Sequence, residues 1–245
     1  MLLIPVIYLR GGIALRPPGD AVEIAKGWVD AGAELIHVID MDAPPTGHSP
    51  NSEVLAQIAG TAKVKFEVEA AVKSIGAAEK YIGAGAERIT LGSIAYQKPA
   101  FLAELCKKFP KKIAVHIDVR RGKVNIKGWA VTSNKTALDY VQQFKDAGVD
   151  TIYYSDIEEE GVLKIQDFLR VQDFLKHAMI KAYHTTDVNS SNDIEQLVML
   201  EAYGLNGTLL SKSLYENKID LHASISLVRD RSCGGLDEPT FTESA

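Results

Sequence analysis

Side chains that can exchange protons follow the β-rich runs of the sequence, where strands of a parallel sheet would end. Tyr8 closes the first run, Asp42 comes just after the second, Asp118 follows the fifth and His184 follows the seventh. Carboxyl, imidazole and phenol groups are common general acids and bases. The four residues predict proton-transfer catalysis. Asp118 is the main candidate, because alternation along its apolar strand points it inward.

Other polar residues at the same edge are candidates for binding or for filling the interior. Acids and bases collect at this one edge, which favours a functional site over a merely solvated rim. His116 is interpreted as a hydrogen-bonded core residue and not as a catalyst, His37 as structural, and Glu67 as the partner of Lys65 in an inward ion pair. Schiff-base chemistry at Lys181 or Lys212 is a less favoured alternative.

Short β-rich runs alternate with amphipathic stretches, which is typical of a parallel sheet with helices between its strands. The predicted strands are Leu2–Tyr8, Glu34–Ile39, Lys63–Val68, Glu87–Leu91, Ile113–Ile117, Thr151–Ser155, Met179–Tyr183 and Gly207–Leu210. Helices are predicted near 20–31, 51–60, 75–84, 99–108, 136–147, 163–177, 190–203 and 217–229. Eight of each favour a single α/β TIM barrel, (β/α)8, with its site at the C-terminal ends of the strands.

Internal repeats divide this barrel into two halves. Segments that lead from a helix-end glycine into a strand recur at 31–40, 84–93, 147–156 and, more weakly, 203–212. Glycine ends such helices in the left-handed conformation. IPVIYLRGG also aligns with AVHIDVRRG, which pairs Tyr8 with Asp118. The two residues are therefore predicted to face each other across the barrel mouth.

Composition limits the classes of partner. The 245 residues carry a net charge of −5, with 46% hydrophobic and 24% charged residues, and lack the basic footprint of a nucleic-acid or membrane binder. Two distant cysteines argue against disulfides or a zinc site and favour the cytoplasm. We expect a barrel over residues 1–229, a polar tail over 230–245, and a monomer or small homo-oligomer that binds a small anionic molecule.

Four stretches resemble HisA, the isomerase family of histidine biosynthesis. They are IPVIYLRGGIALR, IHVIDMDAPPTGHSPNSEVLAQIA, IDVRRGKVNIKGWAVTS and SDIEEEGVL. Residues that match the family pattern are Asp40, Asp42, Gly47, Pro50, Asn51, Asp118, Arg120, Gly122, Gly128 and Trp129. The likeness covers essentially residues 1–220 and implies a TIM barrel with a hairpin after its fifth strand.

The resemblance implies an Amadori-type isomerisation of an aminoaldose phosphate to an aminoketose phosphate. In the family, aspartates that end strands one and five act as acid and base, one protonating the ring oxygen while the other removes the C2 proton. Glycine-rich loops after strands three, four, seven and eight hold two phosphates through backbone N–H groups. Residues that would contact substrate or phosphate here are Arg16, of a mobile first loop, and Gly92, Ser93, Ser211 and Lys212.

The sequence also departs from the family pattern. Tyr8 replaces the strand-one aspartate, Glu69-Ala70-Ala71 replaces a glycine triplet, Ala182-Tyr183-His184-Thr185 replaces A-S-G-G, Ser211 replaces a glycine, and Val162 replaces a threonine, while Glu160 keeps the acid. A phenol with a pKa of about 10 is a poor base but can act as an acid or donor. Glu69 would oppose a phosphate dianion by on the order of 1 kcal/mol.

Three hypotheses follow from this partial match. The first is a divergent paralogue that uses Asp118, with Tyr8, Asp42 and His184 in support, on a small phosphorylated or carboxylated metabolite. Divergent proteins resembling HisA occur near genes of tetrahydromethanopterin-dependent one-carbon metabolism, which suggests a pathway for it. The second is a genuine aminoaldose–ketose isomerase of histidine biosynthesis, and the third a non-catalytic binding or scaffold barrel. We expect no cofactor and no metal, and Glu158-Glu159-Glu160 is interpreted as a solvated loop.

Overall fold

A computed structural model of the chain describes residues 1–42, 49–62, 64–120, 122–126, 131–157 and 165–233. The strands are β1 (Leu2–Arg10), β2 (Ile13–Arg16), β3 (Pro18–Gly19), β4 (Leu35–Asp40), β5 (Lys65–Glu69), β6 (Arg88–Leu91), β7 (Ile113–Arg120), β8 (Lys123–Ile126), β9 (Val131–Thr132), β10 (Thr151–Ile157), β11 (Lys181–His184) and β12 (Leu205–Leu210). Gly47, Gly128, Trp129, Val162 and the run Glu158–Glu160, all singled out in the sequence, lie outside the described residues.

Helices lie between the strands, as the amphipathic pattern predicts. They are α1 (Ala21–Asp30), α2 (Ser52–Gln57), α3 (Ile75–Gly83), α4 (Ser93–Gln97), α5 (Pro99–Lys108), α6 (Ala137–Asp146), α7 (Ile165–Ala178), α8 (Ser191–Met199), α9 (Lys212–Tyr215) and α10 (Leu221–Cys233), with a π-helical turn over Ile58–Ala62 and a 3₁₀ turn over Leu200–Tyr203. Polar side chains cap the N-termini of α1, α3, α6 and α8; at α1, Asp20 accepts hydrogen bonds from the backbone N–H groups of Val22 and Glu23.

Eight parallel strands close into a ring, which confirms the predicted single TIM barrel. The order around the ring is β1, β4, β5, β6, β7, β10, β11 and β12, and pairings of β10 with β7 and of β12 with β1 complete it. Because β1 and β7 are four places apart, they lie on opposite sides. Each continues into an antiparallel strand, so that Tyr8 pairs with Arg16 and Asp118 pairs with Asn125.

The helix-end glycines confirm the repeat read from the sequence. Gly32, Gly85, Gly148 and Gly204 all have φ between 99° and 101°. This is the left-handed conformation that glycine adopts at little steric cost. Each glycine precedes an even-numbered strand of the ring, so the βαβα unit recurs through both halves.

Two apolar cores hold the barrel together. The larger lies between strands and helices, and the smaller fills the barrel interior with Ile4, Val6, Leu35, Ala114, Tyr153, Tyr183 and Leu209. Gly207 lets β12 approach closely, because a Cβ there would lie 2.5 Å from the carbonyl oxygen of Leu2. Within the described residues, no helix is long and apolar enough to cross a membrane.

The structure adds detail to two sequence predictions of local structure. The first loop, expected to be mobile, contains the short strands β2 and β3, which pair with each other. Helix α10 continues to Cys233 and so passes the expected boundary at residue 229. No glycine or proline interrupts the chain before Gly234, and Arg231 of this last turn contacts Glu195 of α8 at 3.0 Å. Residues 234–245 of the expected tail lie outside the described residues.

The interior ion pair also differs from the prediction. Lys65 is exposed, and Glu67 instead accepts hydrogen bonds from the guanidinium of Arg88, with Nε at 2.6 Å, and from the phenol of Tyr153. Register decides this outcome, since Arg88 of β6 lies directly opposite Glu67 of β5. Lys65, two residues earlier, lies one layer lower, at the N-terminal end of β5.

Candidate active site at the barrel mouth

The C-terminal ends of β1 and β7 bring Tyr8 and Asp118 to opposite sides of the barrel mouth. Both belong to the inward-facing set of their strands, in which Val6 precedes Tyr8 and His116 precedes Asp118. Burial and the carboxylates of Glu69 and Asp187 raise the pKa of Tyr8, although Ser211 and Arg16 act in the opposite direction. Tyr8 therefore stays protonated at neutral pH and can donate a proton or a hydrogen bond, as the sequence suggests.

The carboxylate of Asp118 has polar partners on one side and is partly exposed to solvent on another. The hydroxyl of Ser155, opposite it on β10, donates to Oδ1 of Asp118 at 2.7 Å. The Nε2 atom of His116 lies 3.3 Å from the same oxygen. The side chain of Asp118 is 34% exposed. A carboxylate in this position can exchange a proton with a ligand bound in the mouth.

Glu69 joins two histidines at the end of β5. Its Oε2 atom lies 3.2 Å from Nδ1 of His116 and 3.3 Å from Nε2 of His37. Burial opposes the carboxylate, but the two imidazoles outweigh this effect and hold the pKa of Glu69 well below its usual range. The repulsion of phosphate expected from Glu69 is thus partly compensated by neighbouring positive charge, which the sequence pattern of this strand does not reveal.

His116 lies between two carboxylates. Burial disfavours its charged form, but Glu69 and Asp118 raise the pKa of His116 to about 9. Its Nε2 atom also lies 3.2 Å from Oγ1 of Thr185. The sequence interpretation of a hydrogen-bonded histidine is confirmed, but His116 is in direct contact with the main catalytic candidate. Period-two alternation, which places it on the same face as Asp118, is the signal that could have linked them.

Asp42, predicted to support catalysis, forms hydrogen bonds to the turn between β1 and β2 and to Asn51. Its Oδ2 atom accepts from the backbone N–H of Gly11 at 2.5 Å and from Nδ2 of Asn51 at 3.3 Å. Asn51 also donates to buried Asp40 at 2.6 Å, and its Oδ1 accepts from Gly12 at 2.7 Å. This network ties the β1–β2 turn to the start of α2. Asp42 thus lies in the network at the edge of the mouth, and its supporting role in catalysis stays a prediction.

His184 does not join this site. It follows Tyr183, whose ring lies inside the barrel, so it points outward into the layer between strands and helices. Its side chain is buried, and Nδ1 contacts Oγ1 of Thr208 at 3.1 Å. Nε2 has no hydrogen-bond partner among the described residues. Alternation along β11 therefore places it away from Asp118, contrary to the catalytic role expected from the sequence.

The environment of His184 predicts a dependence of stability on pH. Burial lowers the pKa of His184 to about 4. Between pH 6.5 and pH 4 the unfolded chain binds this proton and the folded chain does not, so stability falls as pH falls. We expect the loss to reach about 2 kcal/mol between pH 6.5 and about pH 5.

Denaturant unfolding of the wild type and of His184→Asn at several pH values measures this loss. The variant should lose most of the pH dependence in that window, whatever its stability at pH 7. His116 affects the two proteins alike, because its folded form stays charged across this window and only its unfolded form titrates. An equal acid-induced loss in the two proteins would contradict the assignment.

The predicted anion-binding residues fall into two groups on opposite sides of the mouth. Gly92 and Ser93 follow β6 and line a cavity of about 450 Å³. Its other lining residues are Ile39, Asp40, Glu69, Ala70, Ala71, Val72, Lys73, Ile94 and Gln97. Ser211 and Lys212 follow β12, which is four places from β6 in the ring. The arrangement suits a ligand that is anionic at both ends.

Ser211 and Lys212, the group that follows β12, make longer polar contacts. The Ser211 hydroxyl lies 3.4 Å from Oδ1 of Asp187, and Nζ of Lys212 lies 3.8 Å from Glu216 with its side chain 60% exposed. Arg16 lies beside Tyr8 in the β1–β2 ladder and is exposed. Among the described residues, no cluster of three or more His, Cys, Asp or Glu side chains could hold a metal ion.

Residues 11–220 match the model of a family described as histidine biosynthesis protein. The chain is similar to proteins named 1-(5-phosphoribosyl)-5-((5-phosphoribosylamino)methylideneamino) imidazole-4-carboxamide isomerase. Identity to the one from Geotalea daltonii is 30% over 240 residues, which is 94% of this chain and 98% of that protein. Identity to the one from Desulforamulus reducens is 31% over 240 residues, again 94% and 98% of the two chains.

Proposed function

Because the chain belongs to the HisA family of histidine-biosynthesis isomerases, we propose that it catalyses an aldose–ketose isomerisation by proton transfer at Asp118. The position of Asp118 carries this proposal. Asp118 lies on the inward face of β7 at the barrel mouth, where it accepts a hydrogen bond from Ser155 and its side chain remains 34% exposed. Such a carboxylate can remove the C2 proton of a bound sugar. Tyr8 offers a hydrogen-bond donor from the opposite strand.

The substrate favoured by the relatives is the imidazole carboxamide ribotide in their name. That name contains two phosphoribosyl groups, so the substrate is anionic at both ends. Gly92 and Ser93 on one side of the mouth, and Ser211 and Lys212 on the other, match this distribution of charge. The likeness extends over almost the whole chain, which supports the same chemistry.

A second candidate is the same isomerisation on a smaller anionic metabolite. Tyr8 and Glu69 favour it, since the resemblance places an aspartate and a glycine at these positions. A side chain in place of glycine restricts the approach of backbone N–H groups to a phosphate. On this hypothesis the chain retains the chemistry of its family and acts on a substrate with one phosphate or carboxylate.

Turnover of the ribotide distinguishes the two candidates. The purified chain and its Asp118→Asn variant are given the ribotide, and the ketose product is followed by chromatography; both genes are also supplied to a strain that lacks the isomerase. We expect turnover and rescue by the wild type alone. Absence of both at good soluble expression would reject the ribotide and favour the second candidate. Equal activity of the variant would reject proton transfer at Asp118.

A further inference from the structure

A continuous row of polar side chains crosses the barrel mouth from β4 to β10. It runs from His37 through Glu69, His116 and Asp118 to Ser155, with successive contacts of 3.3, 3.2, 3.3 and 2.7 Å. All five occupy inward-facing positions of β4, β5, β7 and β10, and the contact between Glu69 and His116 spans the intervening strand β6. Through His116, the row links Glu69, which replaces a glycine of the family pattern, to the catalytic candidate Asp118.

Both ring nitrogens of His116 face acceptors. Nδ1 faces the Glu69 carboxylate, and Nε2 faces the Asp118 carboxylate and the Thr185 hydroxyl. A neutral imidazole has one N–H and could satisfy only one of these carboxylates, whereas an imidazolium donates to both. The geometry therefore favours the doubly protonated ring. Its side chain is 17% exposed and shares the inner face of β7 with Asp118.

We propose that His116 is the general acid of the isomerisation and that Glu69 is the residue that positions it and keeps it protonated. This inference rests on the proposed function and supplies the second proton-exchanging group that the resemblance assigns to the position of Tyr8. Tyr8, on the opposite strand, then acts as a neutral hydrogen-bond donor.

The protons balance with this pair. His116 gives a proton to the ring oxygen of the aminoaldose, the C1–O bond breaks, and the nitrogen lone pair forms a C1=N iminium. Asp118 takes the C2 proton, and the C2–H electrons form the enaminol. The enaminol becomes the ketose by losing its hydroxyl proton and gaining one at C1. A proton moves from Asp118 to His116 across their 3.3 Å contact and restores both groups, with no net oxidation.

The charged surroundings support the acid role. The two carboxylates raise the pKa of His116 to about 9 against the opposing effect of burial. An acid in this range is protonated at neutral pH and still able to release its proton. The titratable groups that face His116 and its partner Glu69 are Asp118 on β7, His37 on β4, Tyr8 on β1 and Tyr153 on β10; the phenol of Tyr96 on α4 donates to the backbone carbonyl of His116.

Two measurements on the full chain test the pair. NMR titration of the imidazole groups, with His116 assigned by the signals lost in His116→Gln, should give a midpoint near pH 9, and Glu69→Gln should lower it by about 1 to 2 pH units. Kinetics with the ribotide should show kcat/KM falling above the same pH, with an equal downward shift in Glu69→Gln. His116→Gln should lower kcat by about 10²-fold and abolish this alkaline limb.

A matched control and the Asp118 variant separate the possible outcomes. His177→Gln changes an exposed histidine of α7 and should leave rate and pH profile unchanged. If Asp118→Asn is inactive but His116→Gln keeps the rate and the alkaline limb, the inference is overturned while the proposed function stands. If Asp118→Asn is as active as the wild type, the proposed function itself fails. A His116 midpoint below pH 7 overturns the inference even without turnover.

Discussion

Asp118→Asn is expected to lower kcat by about 10²- to 10⁴-fold, which is the loss typical of removing a general base. Asparagine has the shape of aspartate, and its Oδ1 can still accept the hydrogen bond from Ser155. It cannot take up a proton, so the C2–H bond would break without a base. Steady-state turnover of the ribotide measures kcat, and calorimetric titration measures its binding.

A control variant separates proton transfer from positioning. Ser155→Ala removes the 2.7 Å hydrogen bond to Asp118 but leaves the carboxylate, so we expect a loss of roughly tenfold, the effect of about 1.4 kcal/mol of lost orientation. Ribotide affinity should change little in Asp118→Asn. A kcat within a few-fold of the wild type in Asp118→Asn would show that another group exchanges the C2 proton.

Arg88→Met should lower the free energy of unfolding by about 3 to 5 kcal/mol, because it leaves the buried carboxylate of Glu67 without its charged partner. Glu67 is fully buried, and the guanidinium of Arg88 donates to it from the adjacent strand. After the substitution its remaining partner in the described interior is the phenol of Tyr153. Denaturant unfolding at pH 7 measures the change in free energy.

Lys65 provides the matched control, because the sequence predicts it as the partner of Glu67. Its side chain is exposed, so Lys65→Met should change stability by no more than about 0.5 kcal/mol. The double variant Glu67→Gln, Arg88→Met should recover part of the loss, since it removes the unpaired charge. Equal destabilisation by Lys65→Met and Arg88→Met would contradict the assigned pairing.

Local patterns in the sequence were sufficient for the architecture. Alternation of β-rich and amphipathic segments predicted eight strands and their helices, and the glycines at 32, 85, 148 and 204 marked helix ends that the structure shows in the left-handed conformation. The alignment of the two halves predicted that Tyr8 and Asp118 would face each other. These features depend on residues near in sequence, or on a repeat within it, and so can be read without coordinates.

Only the tertiary structure decided which side chains are partners. The register between β5 and β6 places Arg88 opposite Glu67, so that the two side chains pair. Alternation along β11 places His184 on the outer face of its strand. The closed ring brought Glu69 of β5 to His116 of β7, although β6 separates the two strands. Sequence alone determined that acids and bases would collect at one end of a barrel. Their pairing, and with it the charge state of the site, depended on strand register and inward orientation, which no local pattern specifies.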